Sequence, residues 1–196
     1  MAWVAWSLST LGWLDEQMAT FMVLYLAHLI GDFPLQTNRI YELKSQSNRG
    51  ILLHVAIHIM VAVILIKNPL PYWRLLLVLG IVHFIIDWTK LHLPGRRQTP
   101  GFILDQIAHF LSLILIASWT PGVTAVLPLW LLWLGILLIL TPASLMLLWV
   151  GATDLLIDLP ENQPIKWASR SLLPLSQKIG SILVLALTLT TLFYLI

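Results

Sequence analysis

The chain has 196 residues, 59% of them hydrophobic and only 10% charged, with a formal net charge of +2 and no cysteine. Soluble domains carry about 25% charged residues, so this chain cannot cover itself with polar surface and the bilayer is its expected solvent. The near-neutral balance gives no reason for a nucleic-acid partner. The absence of cysteine excludes disulfides, iron–sulfur clusters and thiolate metal sites, which leaves nitrogen and oxygen to hold any metal.

In chain order, the N-terminus lacks the positive start and small-residue cleavage site of a signal peptide. Residues 1–17 read as a retained segment, with Trp3, Trp6 and Trp13 suited to an interfacial anchor. Six hydrophobic segments follow, predicted at about Met18–Phe33, Gly50–Ile66, Tyr72–Leu91, Gly101–Trp119, Val126–Gly151 and Ile179–Ile196. Pro34 ends or kinks the first because it has no backbone donor. Pro100 introduces the fourth, and Pro142 is expected to kink the fifth. The first, second and fourth are short against the ~20 residues of a full span, so tilt or local thinning is expected. No internal repeat or low-complexity stretch is present. The expected fold is all-α: a polytopic membrane bundle of about six transmembrane helices, organised as residues 18–119, a four-helix core, and residues 120–196, two further helices with a cytoplasmic loop.

Loop charge sets an orientation. Arg39, Lys44, Arg49, Lys90, Arg96, Arg97, Lys166, Arg170 and Lys178 fall in or beside loops on one side, against Lys67 and Arg74 on the other. This positive-inside bias places both termini outside and the three long loops in the cytoplasm.

Each of the first four segments carries a polar pair four residues apart: His28/Asp32, His54/His58, His83/Asp87 and Asp105/His109. That spacing is a little over one helical turn, so both side chains of a pair share a face. By composition a histidine has about a one-in-nine chance of a His or Asp at that offset. Five of the six histidines have one. The sixth, His92, reads as interfacial.

With the orientation above, all eight side chains fall ~6–14 Å below the cytoplasmic surface. His28, His58, His83 and His109 make a deeper layer. Asp32, His54, Asp87 and Asp105 make a layer nearer the cytoplasm. A single such pair is explained equally well by a helix–helix hydrogen bond. Three intramembrane carboxylates cost ~2.5–3.5 kcal/mol each, and a divalent cation among them offsets that better than separate hydrogen bonds. Stacked ligand layers from four helices are also the plan of metal sites in helix bundles. The expected cofactor is one or two divalent ions of zinc, iron or manganese, with some of the eight residues orienting others.

Lys90, three residues after Asp87, is placed either to hold an anionic substrate group or to snorkel to the interface. Gln36 extends the His28/Asp32 stripe, although Pro34 leaves its direction open. Asp154 and Asp158 are expected to be solvated in the last cytoplasmic loop, and the Trp/Leu-rich fifth helix to serve packing and lipid contact.

The motifs HLIGDFPLQ, LLHVAIH, HFIIDWTK and LDQIAH, in that order over roughly Leu24–Ile116, resemble a family of small multi-pass bacterial membrane proteins known as domain of unknown function 3307. The resemblance implies a membrane fold and brings no established activity. A looser likeness to membrane-bound metal-dependent hydrolases is fold-level analogy.

The expected function is a metal-dependent hydrolase acting on a lipid or amphipathic phosphoester near the cytoplasmic leaflet. Asp32 or Asp87 would accept the proton of a water, and Lys90 would stabilise charge. The competing readings are a metal-ion or proton transporter, a di-iron membrane oxidoreductase, and a metal-stabilised assembly or structural protein. A transporter should show internal repeats and polar groups along its whole path. The ionisable residues here stop in the cytoplasmic third. Membrane lipids are the expected partners, and the sequence carries no signal for an oligomeric state.

Overall fold

The computed structural model describes residues 2–93, 95–120 and 122–196, with side chains from Glu16 onward. The anchoring expected of Trp3, Trp6 and Trp13 lies outside the described side chains. The elements are α1 (Ala2–Asp32), α2 (Asn38–Gln46), α3 (Asn48–Leu65), a 3-10 turn (Leu70–Tyr72), α4 (Trp73–His92), α5 (Gln98–Trp119), α6 (Leu129–Leu155) and α7 (Gln163–Leu195). The fold is all-α, and among the described residues the only extended pairing is an isolated bridge between Ile66 and Ala125.

The C-terminal half of α1 is the hub. Met22, Val23, Leu24 and Leu26 point in different directions around the helix, and all are fully buried. A helix that is apolar on every side has to be enclosed, and α3, α5 and α6 enclose this one. Helices α1, α3, α4 and α5 close a ring, each packing on the next. Helix α6 lies against α1 and α5, and α7 lies against α6.

Among the described residues, five helices, α3 to α7, are long and apolar enough to cross a membrane. Their packing has the sense expected in hydrocarbon. Helix α4 exposes Leu77, Val78, Ile81 and Ile85, and α5 exposes Ile103, Leu104, Ile107 and Leu111, while the same two helices bury His83, Asp87, Asp105 and His109. In water that arrangement would be inverted.

The chain turns sharply beneath the hub. Pro34 has no N–H, and α1 ends with Phe33 N donating to Leu29 O at 3.1 Å and Leu35 N to Ile30 O at 3.0 Å. Thr37 then caps α2 by accepting from Ile40 N. Ser47 serves two helices: its N–H closes α2 on Leu43 O, and its hydroxyl accepts from Gly50 N to open α3. Only glycine fits at position 50, because a Cβ there would collide with the Leu43 carbonyl. This folds the short α2 back under the bundle.

Two expected boundaries move. Residues 38–46 form a helix where the hydropathy pattern predicts loop, since NRIYELKSQ is too polar and too short to register as a hydrophobic segment. Helix α7 starts at Gln163 rather than near Ile179: Asn162 caps it by accepting from Ile165 N, Pro164 occupies the first turn, and the helix passes through Pro174. Helix α6 likewise continues through Pro142.

Asp154 corrects a third expectation. It is not solvated but buried at the end of α6. Its carboxylate accepts from Gln98 N at 2.9 Å, Thr99 N at 2.7 Å and Thr99 Oγ1 at 2.6 Å, which satisfies the first free N–H groups of α5. Asp158, which is exposed as expected, pairs with Arg97.

Candidate functional site

The ring of α1, α3, α4 and α5 brings all eight predicted His and Asp side chains together, none more than 5% exposed. The deep imidazoles form a closed circuit. Ring centroids are 5.4 Å apart for His28 and His58, 3.9 Å for His58 and His83, 4.3 Å for His83 and His109, and 4.6 Å for His109 and His28. Close approach of α1 and α3 depends on Gly31, because a Cβ there would run into the His58 ring.

The carboxylates stand one turn away, toward the end of the bundle where α2 lies. Three histidines meet the carboxylate of their own helix: His28 Nε2 is 3.5 Å from Asp32 Oδ2, His83 Nε2 is 3.3 Å from Asp87 Oδ2, and His109 Nε2 is 3.6 Å from Asp105 Oδ1. Between helices, Asp32 Oδ1 is 3.0 Å from His54 Nε2 and 3.2 Å from His58 Nε2, and those two nitrogens are 3.1 Å apart. Asp87 sits centrally, 3.7 Å from both His54 Nε2 and His109 Nε2. His92 stays outside, stacked on Trp88 with Nδ1 2.7 Å from the Trp88 carbonyl.

Beyond these eight, the site holds residues that the spacing did not reveal. Lys44 of α2 is buried, with Nζ 2.6 Å from Asp87 Oδ1 and 3.4 Å from Gln36 Oε1. Gln106 donates from Nε2 to Asp32 Oδ2 at 2.7 Å, and its Oε1 is 3.3 Å from His28 Nε2. A lone glutamine in an apolar helix beside Asp105 was a readable signal for the second. Lys44, counted only as a loop charge, carried none. Lys90 turns inward rather than snorkelling: Nζ is 2.7 Å from Asp105 Oδ2 and lies over the Phe102 ring.

Whether these residues fit a metal can be judged from their own bonding. Asp87 Oδ2, Asp105 Oδ1, His83 Nε2 and His109 Nε2 are buried and make no hydrogen bond among the described residues, as are His28 Nδ1, His54 Nδ1 and His58 Nδ1. Such atoms are rare in proteins and call for an explanation. Ligand atoms of His28, Asp32, His58 and His83 lie within 4.8 Å of one another, as do those of His54, His83 and Asp87, and those of Asp32, Asp105 and His109. An ion with bonds of ~2.0–2.1 Å in tetrahedral geometry spaces its ligands about 3.4 Å apart. The His54, His58 and Asp32 triangle, with sides of 3.0, 3.1 and 3.2 Å, is close to one face of that figure. The carboxylates Asp32, Asp87 and Asp105 share the site with two ammoniums, Lys44 against Asp87 and Lys90 against Asp105. The donor set fits a divalent cation.

The site opens into a cavity of about 960 Å³ whose lining includes Asp32, Asp105 and Gln106. Away from the cavity, the positions one turn beyond the imidazoles are Leu24, Ala62, Leu79 and Leu113, all buried. The polar layers therefore end in an apolar one.

The chain belongs to the family described as "Protein of unknown function (DUF3307)", whose model matches residues 20–134. That span contains all eight His and Asp residues together with Lys44, Lys90 and Gln106. No curated protein and no solved structure matches the chain.

Proposed function

We propose that this family member is an integral membrane metal-binding protein, and that it is a metal-dependent hydrolase acting on a lipid or phosphoester near the cytoplasmic leaflet. The observation that carries the reading is the convergence of eight buried His and Asp side chains whose hydrogen-bonding capacity the protein leaves partly unused. In this reading the ligands come from His28, Asp32, His54, His58, His83, Asp87, Asp105 and His109. One or two ions of zinc, iron or manganese suit a set of nitrogen and oxygen donors without sulfur.

A divalent ion bound there would polarise a phosphoryl or acyl oxygen and acidify a water. The protein's own groups do the rest. Asp32 or Asp87 takes the proton the water loses as its oxygen bonds to phosphorus or carbon. That proton is returned to the leaving oxygen as its bond breaks. The Lys90 ammonium, held by Asp105, faces the charge that accumulates on the reacting group.

The buried apolar layer of Leu24, Ala62, Leu79 and Leu113 favours this reading over transport of metal ions or protons. A permeation path needs polar groups beyond the histidines, and the bundle places hydrocarbon there. His54 and His58 are the only two histidines paired with each other at helical spacing, where a histidine-rich di-iron membrane site would cluster several, which favours hydrolysis over di-iron oxidation. A metal that only holds the bundle together is the remaining alternative.

Purification without chelator followed by elemental analysis tests the metal, with one or two equivalents expected. Protein that is folded, carries no stoichiometric metal and cannot be reconstituted removes the proposal. His58→Ala and Asp87→Asn then separate enzyme from scaffold. Loss of lipid phosphoester turnover at retained folding is expected of an enzyme, whereas loss of folding alone identifies a structural ion.

A further inference from the structure

The cavity beside the cluster is lined by two unlike kinds of side chain. Its lining includes three cations, Lys44 of α2, Lys90 of α4 and Arg96 of the α4–α5 connection, together with Asp32 and Asp105; Lys44 and Lys90 are held by Asp87 and Asp105. The same lining carries apolar side chains, Ile86, Phe102, Met146, Trp149 and Leu173, drawn from α4, α5, α6 and α7, with Phe102 directly beneath the Lys90 ammonium. Lys44 is 4% exposed, so it is no interfacial lysine sent out to water. Among the described residues Arg96 has no carboxylate partner, whereas its neighbour Arg97 is held by Asp158.

We infer that this cavity binds a lipid phosphate: a head group bearing a terminal phosphate seated among Lys44, Lys90 and Arg96, with its hydrocarbon chain along the wall formed by Phe102, Met146, Trp149 and Leu173. Three cations from separate elements lining one cavity suit a multiply charged anion, which lysine and arginine both recognise. The apolar wall calls for hydrocarbon attached to it. At about 960 Å³ the space is at the upper end of the ~300–1,000 Å³ typical of small-ligand cavities, far more than a phosphate alone needs. The exposed faces of Ile85 and Leu104 also line it, which opens the cavity sideways toward the apolar surface of α4 and α5. A ligand already in the leaflet would enter there. The inference rests on the hydrolase reading for the reacting bond but not for binding, and the acids Asp32 and Asp105 make the affinity rise when a cation is present.

The test is calorimetric titration of the purified full-length protein in detergent, with and without zinc, using three probes: inorganic phosphate, dihexanoyl phosphatidic acid and dihexanoyl phosphatidylcholine. Phosphatidic acid should bind at least about tenfold more tightly than either of the others, which corresponds to ~1.4 kcal/mol. Lys90→Gln should weaken it about tenfold. Arg96→Gln, at an exposed residue without an ion pair, should weaken it severalfold without affecting folding. Leu173→Asn should weaken phosphatidic acid and leave inorganic phosphate unchanged. Equal binding of inorganic phosphate, equal binding of phosphatidylcholine, or no response to Arg96→Gln overturns the inference. Protein that holds stoichiometric metal yet binds no phosphatidic acid defeats this inference alone. Protein that binds phosphatidic acid but never a metal defeats the hydrolase reading and leaves this one standing.

Discussion

Lys44 Nζ stands 2.6 Å from Asp87 Oδ1, and the two side chains are 5% and 0% exposed. A lysine on a nine-residue connecting helix thus reaches the central carboxylate of a cluster built by four other helices. Its ammonium offsets a charge that a bound cation would otherwise offset, so lysine and metal oppose each other electrostatically at Asp87.

Replacing Lys44 by methionine keeps most of the apolar stem and removes the charge. The metal-free protein should lose ~3–5 kcal/mol, because Asp87 is left as an unpaired buried anion. Metal affinity should move the other way and rise about tenfold or more, since a unit charge at ~4 Å is worth ~4 kcal/mol at an effective dielectric of 20. Thermal unfolding in chelator and in zinc reads both effects. A metal-induced rise in Tm no larger than that of the unsubstituted protein would show that Lys44 and the ion do not oppose each other.

Gly31→Ala and Gly151→Ala are expected to act in opposite directions. An added methyl at position 31 meets the His58 ring, whereas one at position 151 meets nothing within 4 Å. The first forces His58 out of its circuit with His28 and His83, costs ~1–3 kcal/mol as overpacking, and lowers metal content. The second replaces a helical glycine and gains up to about 1 kcal/mol. Thermal unfolding with metal analysis of both variants checks the pair; a neutral Gly31→Ala would mean that α1 and α3 are not held at the separation described.

The part of the site that was legible in the sequence is the part written within single helices. His28 and Asp32, or His83 and Asp87, announce themselves because a polar pair at helical spacing in an apolar run has few explanations, and the helix alone fixes their common face. Lys44 could not be read that way. Its burial depends on Ser47 and Gly50 folding α2 back under the bundle, and it meets Asp87 across a large separation in sequence. The burial of Asp154 is hidden for the same reason: the helix end it caps arrives from a residue 55 positions earlier. The start of α7 was missed because hydropathy registers only its apolar half, while Asn162 and Pro164 set its true beginning. Apolar spans were legible from composition, and contacts between distant polar groups were not.

Asp154→Ala should cost ~1–2 kcal/mol, the upper range for a lost helix cap, because three donors at the start of α5 lose their acceptor together. Asp154→Asn keeps one carbonyl oxygen and should cost less. Asp105 lies less than two turns into the same helix, so fraying of its first turn should also loosen the Lys90–Asp105 pair. Hydrogen exchange over residues 98–105 reports this directly. Unchanged protection in Asp154→Ala would mean that α5 starts without help from α6.

The last prediction concerns which way the bundle faces. The connections after α1, α4 and α6 meet at one end, tied by Lys44 to Asp87, Arg97 to Asp158, Gln98 to Asp154 and Gln177 to Asn38. The connections after α3 and α5 meet at the other, where Lys67 N donates to Thr124 O and Tyr72 Oη to Gly122 O. The nine basic residues of the first end against Lys67 and Arg74 near the second favour a cytoplasmic placement of the His/Asp cluster and of α2. Since the chain has no cysteine, single cysteines report sidedness without background. A membrane-impermeant maleimide added to intact cells should label Leu70→Cys, at a residue 85% exposed. Ser45→Cys on α2 should react only after permeabilisation. The reverse pattern would turn the bundle over and place the cavity, with its three cations, against the outer leaflet, where a cytoplasmic lipid phosphate could not reach it.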